Sequence, residues 1–102
     1  ALDGFGLCSF ASGGSYRGEL KEGKYHGWGE RLWPGGSSYC GRWWKSYQHG
    51  YGTYTSVLGD KVCGRWFLNR RLGLFIITPK TGPAQRGYWF FGFGPFKLKT
   101  RG

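Results

Sequence analysis

Acidic side chains are scarce in this chain: five Asp and Glu stand against fifteen Lys and Arg, for a net charge of +10. The five, Asp3, Glu19, Glu22, Glu30 and Asp60, are scattered. No two share an equivalent place that would make an acid/base pair, and no Ser, His and Asp set comes together. Methionine is absent, and the chain opens at Ala1 partway through a repeat, so it reads as a processed chain or a piece of a longer one. No run approaches the ~20 apolar residues of a membrane-spanning helix, and the start carries no signal-peptide pattern. The three cysteines, Cys8, Cys40 and Cys63, lack the C-x-x-C spacing of a metal motif. The composition therefore predicts no catalytic residue, no cofactor and no metal site, and the excess of cations points to an anionic partner surface.

What is abundant is glycine, 21 residues, and aromatic side chains, 21% of the chain. Glycine runs at about three times its usual share of roughly 7%, and each glycine inside a helix costs about 1 kcal/mol against alanine. A helical chain is excluded. The glycines are also periodic. Gly-aromatic-Gly triplets stand at Gly4-Phe5-Gly6, Gly27-Trp28-Gly29 and Gly50-Tyr51-Gly52, a step of 23 residues that next lands on Gly73. The same step relates Gly18, Gly41, Gly64 and Gly87, and again Gly13, Gly36, Gly59 and Gly82. A fixed period of roughly 20–50 residues marks one supersecondary unit copied and stacked.

Taking Tyr16 as a starting point gives a partial repeat at 1–15, repeats at 16–38, 39–61 and 62–84, and a degenerate last repeat at 85–102. Each full unit reads as strand, glycine turn, strand, glycine turn, which predicts an all-β antiparallel meander of hairpins in a single elongated sheet. Alternation then sorts the faces. One face takes Tyr16, Gly18 and Leu20, then Tyr39, Gly41 and Trp43, then Val62, Gly64 and Trp66, then Gln85, Gly87 and Trp89. Packed core is preferred here over a binding trough, the mid-strand glycine leaving room for a neighbouring ring to lie over the backbone. Gly41→Val is accordingly expected to cost more than Ser46→Val, since Ser46 falls at a turn.

The other face takes Arg17, Glu19 and Lys21, then Cys40, Arg42 and Trp44, then Cys63, Arg65 and Phe67, then Arg86, Tyr88 and Phe90. A solvated face does not normally carry Trp44, Phe67 and Phe90 in a row. Either a partner covers them, with Tyr88, Arg42 and Arg65 beside them, or the rings stack on neighbouring Arg side chains; the covered face is preferred. Cys40 and Cys63 hold the same repeat position and so stand about 9.5 Å apart in an ideal sheet, beyond the roughly 7 Å that a disulfide spans. Three free thiols in an intracellular, reducing compartment are the expectation. The same spacing separates His26 from His49, which read as structural.

The unit resembles the MORN repeat, named for membrane occupation and recognition nexus. That repeat opens Tyr-x-Gly-x-Trp, turns at a glycine and continues His-Gly-x-Gly. Tyr39-Cys40-Gly41-Arg42-Trp43 with His49-Gly50-Tyr51-Gly52 matches it, as does Tyr16-Arg17-Gly18-Glu19-Leu20 with His26-Gly27-Trp28-Gly29, Leu20 holding the Trp place. The third unit opens well at Val62-Cys63-Gly64-Arg65-Trp66 but reads Leu72-Gly73-Leu74-Phe75 where His and the second glycine would stand. The fourth keeps Gly87, Trp89 and Gly92 and then departs. The resemblance implies an elongated, twisted sheet of hairpins and a scaffold or tethering role, in some members at membranes.

Two functions follow as expectations. The first is a non-enzymatic platform that docks onto other proteins, as an accessory or structural subunit of a larger assembly. The second is a peripheral module on anionic phospholipid, using the basic side chains Arg17, Arg42, Arg65 and Arg86 and the tail cations Lys97, Lys99 and Arg101. An accessory domain cut from a lipid kinase or methyltransferase is a third. Nucleic acid is disfavoured because packing in the sheet is expected to occupy the rings.

Overall fold

The computed structural model describes residues 3–96. The expected cationic tail, Lys97, Lys99 and Arg101, lies outside the described residues. Nine strands follow one another: β1 (Gly4–Ser9), β2 (Ser15–Lys21), β3 (Lys24–Leu32), β4 (Ser38–Trp44), β5 (Tyr47–Thr55), β6 (Lys61–Phe67), β7 (Arg70–Thr78), β8 (Gln85–Phe90) and β9 (Phe93–Phe96). Each pairs antiparallel with the next, so chain order and sheet order are the same. The result is the open all-β meander that the periodicity predicts, drawn out to 56 × 25 × 17 Å.

Short and long turns alternate. The short ones have two residues, Glu22-Gly23, Lys45-Ser46, Leu68-Asn69 and Phe91-Gly92, all at positive φ. That is the mirror-image turn whose twist suits two right-twisted strands. These turns also tie one hairpin to the previous one. Ser46 donates its N–H to the Tyr25 carbonyl at 2.8 Å, and its Oγ accepts from the Tyr25 N–H at 3.1 Å. Asn69 repeats the exchange with Gln48, at 2.9 and 2.7 Å. Gly92 keeps only the backbone half, donating to the Arg71 carbonyl at 2.9 Å.

Ser46 is therefore not the inert turn position that the sequence suggests. A valine there would lose a hydrogen bond and force a β-branched residue into the left-handed region. It fails as a neutral comparison for Gly41.

The core lies on one face of the sheet and is built as an interleaved ladder of rings. Trp43, Trp66 and Trp89, from β4, β6 and β8, stand at the same place in successive units and are nearly fully buried. Tyr39 fills the gap between the first two, edge-on to both, with ring centroids at 5.0 and 5.6 Å. Phe75 fills the gap between the second and third in the same manner, at 5.2 and 5.5 Å. At the other end Tyr16 stacks on Tyr25 at 3.9 Å, and both meet Trp43 edge-on. Edge-to-face pairs of this kind add about 0.5–1.5 kcal/mol beyond their buried area. Two of the indole N–H groups are satisfied within the sheet, Trp43 donating to the Gly29 carbonyl at 3.0 Å and Trp66 to the Gly52 carbonyl at 3.2 Å. Val62 is buried with the rings, Leu20 packs against them, and Gln85 is exposed.

Glycine makes room for these rings. Gly18 pairs with Gly29 and Gly41 with Gly52, and all four are buried. A Cβ on Gly29 would overlap the Tyr16 ring, and one on Gly52 the Tyr39 ring. In the third unit both members change. Val62 stands where Tyr16 and Tyr39 stand, and Phe75 stands where Gly29 and Gly52 stand. Phe75 lies against Gly64, whose Cβ would meet the Phe75 ring at 2.7 Å. The ring has changed strands and kept its slot. The departure from the repeat at Phe75 is thus a volume exchange, large-and-none for medium-and-large.

Two outcomes test this core. Tyr39→Val and Gly52→Phe should each destabilise the fold, by a cavity and by overpacking worth about 1–3 kcal/mol each. The double variant imports the third unit's solution and should recover part of that loss, a coupling of about 0.5–3 kcal/mol in urea melts of all four proteins. Additive losses would mean the exchange is accidental. The second outcome concerns pH. Burial, with Glu19 nearby, pushes the Tyr16 hydroxyl from its ordinary value of 10.0 up to about 12. Tyr39 and Tyr25 rise for the same first reason, burial. A raised pKa means the native state holds protons that the unfolded chain releases, so this stability is intact below pH 10 and drains away from 10 through 12. Denaturation midpoints should fall across that window, and Tyr16→Phe should flatten the fall.

Candidate functional site

The face opposite the core has no second layer among the described residues, and most of the exposed large apolar side chains lie on it. Its geometry follows from the bulges. On β5, three residues, His49, Gly50 and Tyr51, stand between the two that pair with Gly41 and Trp43. Gly50 takes φ 103°, open to glycine and costly for other residues. Two extra residues keep the alternation in phase, so Gln48 and Gly52 both face the core while Tyr51 turns outward beside Arg65. Gly27 and Gly73 repeat the left-handed backbone at the matching places. In the first unit the Glu19 carboxylate closes the bulge by accepting the Trp28 N–H.

Every described residue expected at a partner surface lies on this face. Arg42 and Arg65 pair across strands with Trp28 and Tyr51, and Tyr88 with Leu74. A central row results in which apolar rungs from β3, β5 and β7 alternate with Arg42, Arg65 and Tyr88. The Arg65 guanidinium lies 5.3 Å from the Tyr51 ring centre. Toward the short turns, Trp44 and Phe67 do not touch directly: His49 sits between them, its ring 5.6 Å from the first and 5.0 Å from the second. Phe67 then meets Phe91, and Phe91 meets Phe90. The ladder is continuous because a histidine and a turn residue bridge it. Leu68 adds a backbone tie, donating its N–H to His49 Nδ1 at 3.4 Å.

The cations of this face differ. Arg17 lies 3.4 Å from Glu30, the sole ion pair among the described residues. Arg42, Arg65 and Arg86 have no carboxylate within reach among those residues. They hold their charge toward solvent on a surface otherwise rich in rings. Cys8, Cys40 and Cys63 are free thiols. Burial, with Glu30 alongside, pushes the Cys40 thiol above its ordinary value, so it is less reactive than an open cysteine. No group of three or more His, Cys, Asp or Glu gathers for a metal among the described residues. No helix among them is long and apolar enough to cross a membrane.

Alternation along the sequence places only the first strand of each unit on this face and misses the return strands. Those carry Phe5, Trp28, Tyr51 and Leu74, each at least two-fifths exposed, and Ile76 beside them. The signal lies in the Gly-aromatic-Gly triplet itself, whose central ring points away from the core. The ground for disfavouring nucleic acid also fails for these rings, since Trp28 is 49% and Tyr51 65% exposed. Compared with known proteins, the chain matches no family model and no curated sequence.

The two faces should respond differently to truncation. Trp28→Ser and Tyr51→Ser should each shift folding stability by no more than about 0.5 kcal/mol, whereas Trp66→Ser should cost about 3–5 kcal/mol. Guanidinium melts followed by circular dichroism separate the outcomes. Comparable losses at Tyr51 and Trp66 would place the core on the wrong face.

Proposed function

We propose that this chain is a non-enzymatic MORN-type repeat scaffold that docks a protein partner on its outer face, as an accessory or structural subunit of a larger assembly. The observation that carries the reading is the outer face itself, where half-exposed rings alternate with arginines that no carboxylate neutralises among the described residues. Aromatic residues and arginine are the usual energetic centres of protein interfaces. The aliphatic neighbours Leu74 and Ile76 add apolar area that a protein covers well. Three free thiols fit a reducing, intracellular setting.

A second reading draws on the same rings. Trp28 and Tyr51 stand proud of the sheet beside Arg42 and Arg65, and a net charge of +10 suits an anionic bilayer surface. Each cation near such a surface contributes about 1 kcal/mol.

Co-purification from the native source separates the two. With Trp44→Ser and Phe67→Ser combined, the fold should persist while the recovered partner protein drops sharply. The remaining contact should survive salt better than an electrostatic one, which weakens within a Debye length of about 8 Å at physiological ionic strength. Recovery only with anionic membranes, released by salt, favours the lipid reading. Loss of fold together with retention of the partner would put the interface elsewhere.

A further inference from the structure

The central row of the outer face has a regular pitch. Trp28, Tyr51 and Leu74 come from alternate strands, so they recur about every 9.5 Å, with Arg42 and Arg65 halfway between them. We infer that this row is a track for an acidic, proline-rich segment of the partner, bound as a polyproline II helix. The inference rests on the docking reading above and supplies the chemistry of what docks.

Three features carry it. The first is the repeat length. A polyproline II helix rises about 3.1 Å per residue with three residues per turn, so every third side chain recurs at about 9.3 Å. That matches the rungs, whereas an α-helix presents equivalent side chains every seven residues, about 10.5 Å, and slips by about 1 Å at each rung. The second is the backbone. β3 to β8 are each paired on both sides, so this face offers no free strand edge. Its occupant must arrive with backbone groups that water can satisfy, as the polyproline II backbone allows, and proline rings pack on exposed aromatic rings. The third is charge. Arg42 and Arg65 lack carboxylate partners among the described residues and lie between the rungs, where acidic residues of each triplet would meet them.

Other occupants fit less well. A single nucleic-acid strand needs a ring to stack on at each step, and the third rung is Leu74, flanked on its strand by Ile76 on the same face. At the β1 end the Glu19 carboxylate, held by the Trp28 N–H, would repel an acidic ligand, so the track has its limit at Trp28 and runs from there toward Leu74, with the acidic residues of the ligand at Arg42 and Arg65.

The test uses the whole chain and a fluorescent peptide of Pro-Pro-Glu triplets, about twelve residues long so that it spans all three rungs. Anisotropy titrations should show it bound about tenfold more tightly than a Gly-Ser-Glu peptide of equal length and charge, and than a Pro-Pro-Lys peptide. Tyr51→Ser and Arg42→Gln should each weaken binding about tenfold with unchanged melting temperature. Equal binding of the Gly-Ser-Glu peptide, insensitivity to both variants, or tighter binding of oligothymidine or phosphatidylserine vesicles would overturn the inference. If the native partner is captured through this face while the Pro-Pro-Glu peptide does not bind, the docking reading stands and this inference falls. If neither depends on the face, both fall.

Discussion

The fold depends on one steric constraint: each buried ring needs a neighbour with almost no side chain. Trp43, Trp66 and Trp89 are separated by two strands, and the gaps between them are filled by Tyr39 and Phe75. Tyr39 fits because Gly52 opposite has no Cβ, and Phe75 fits because Gly64 has none. A second layer is then unnecessary to bury Tyr39 and Phe75 completely. Close packing on one side lets a single sheet form a core, as dense interiors require. The cost is conformational, since glycine loses more freedom on folding than any other residue. The aromatic share of the chain is what offsets it.

The same arrangement leaves the other face open. With the core rings consumed on one side, alternation along each return strand turns the triplet's central aromatic outward, and cross-strand pairing sets Arg42 against Trp28 and Arg65 against Tyr51. Core and docking face thus derive from the same glycine series. One glycine admits a ring, and the glycine two positions earlier provides the left-handed backbone of the bulge from which the next ring projects. Structure and surface chemistry cannot be varied independently within a unit, which explains why the third unit exchanges Val62 with Phe75 as a pair and still presents Leu74 outward.

Much of this is legible in the residues. The period of 23 and the alternation along β2, β4, β6 and β8 give the meander and the buried set headed by Tyr16, Tyr39, Trp43 and Trp66. Two things are not. The bulge is one: Trp43 pairs with Gln48, so three residues of β5 stand opposite Arg42 alone, a change of register that leaves the alternation of faces intact and so gives no sign in a single strand. Phe75 likewise reads as loss of the repeat, although it is fully buried, because compensation between two strands is invisible to a single-strand pattern. Ser46 reads as surface for a related reason: its hydrogen bonds go to Tyr25 in the previous hairpin, 21 residues back. Partner identity is legible only as chemistry, through the ring-and-arginine row.

The central claim is that the sheet has one face for folding and one for docking. Hydroxyl-radical footprinting of the free chain and of its native complex, read at individual side chains, tests it most directly. Trp28, Tyr51 and Trp44 should be oxidised in the free chain and protected in the complex, while Trp43, Trp66 and Trp89 stay protected in both. Equal oxidation of Trp28 and Tyr51 in the two states, or ready oxidation of Trp43 and Trp66 in the free chain, would contradict it.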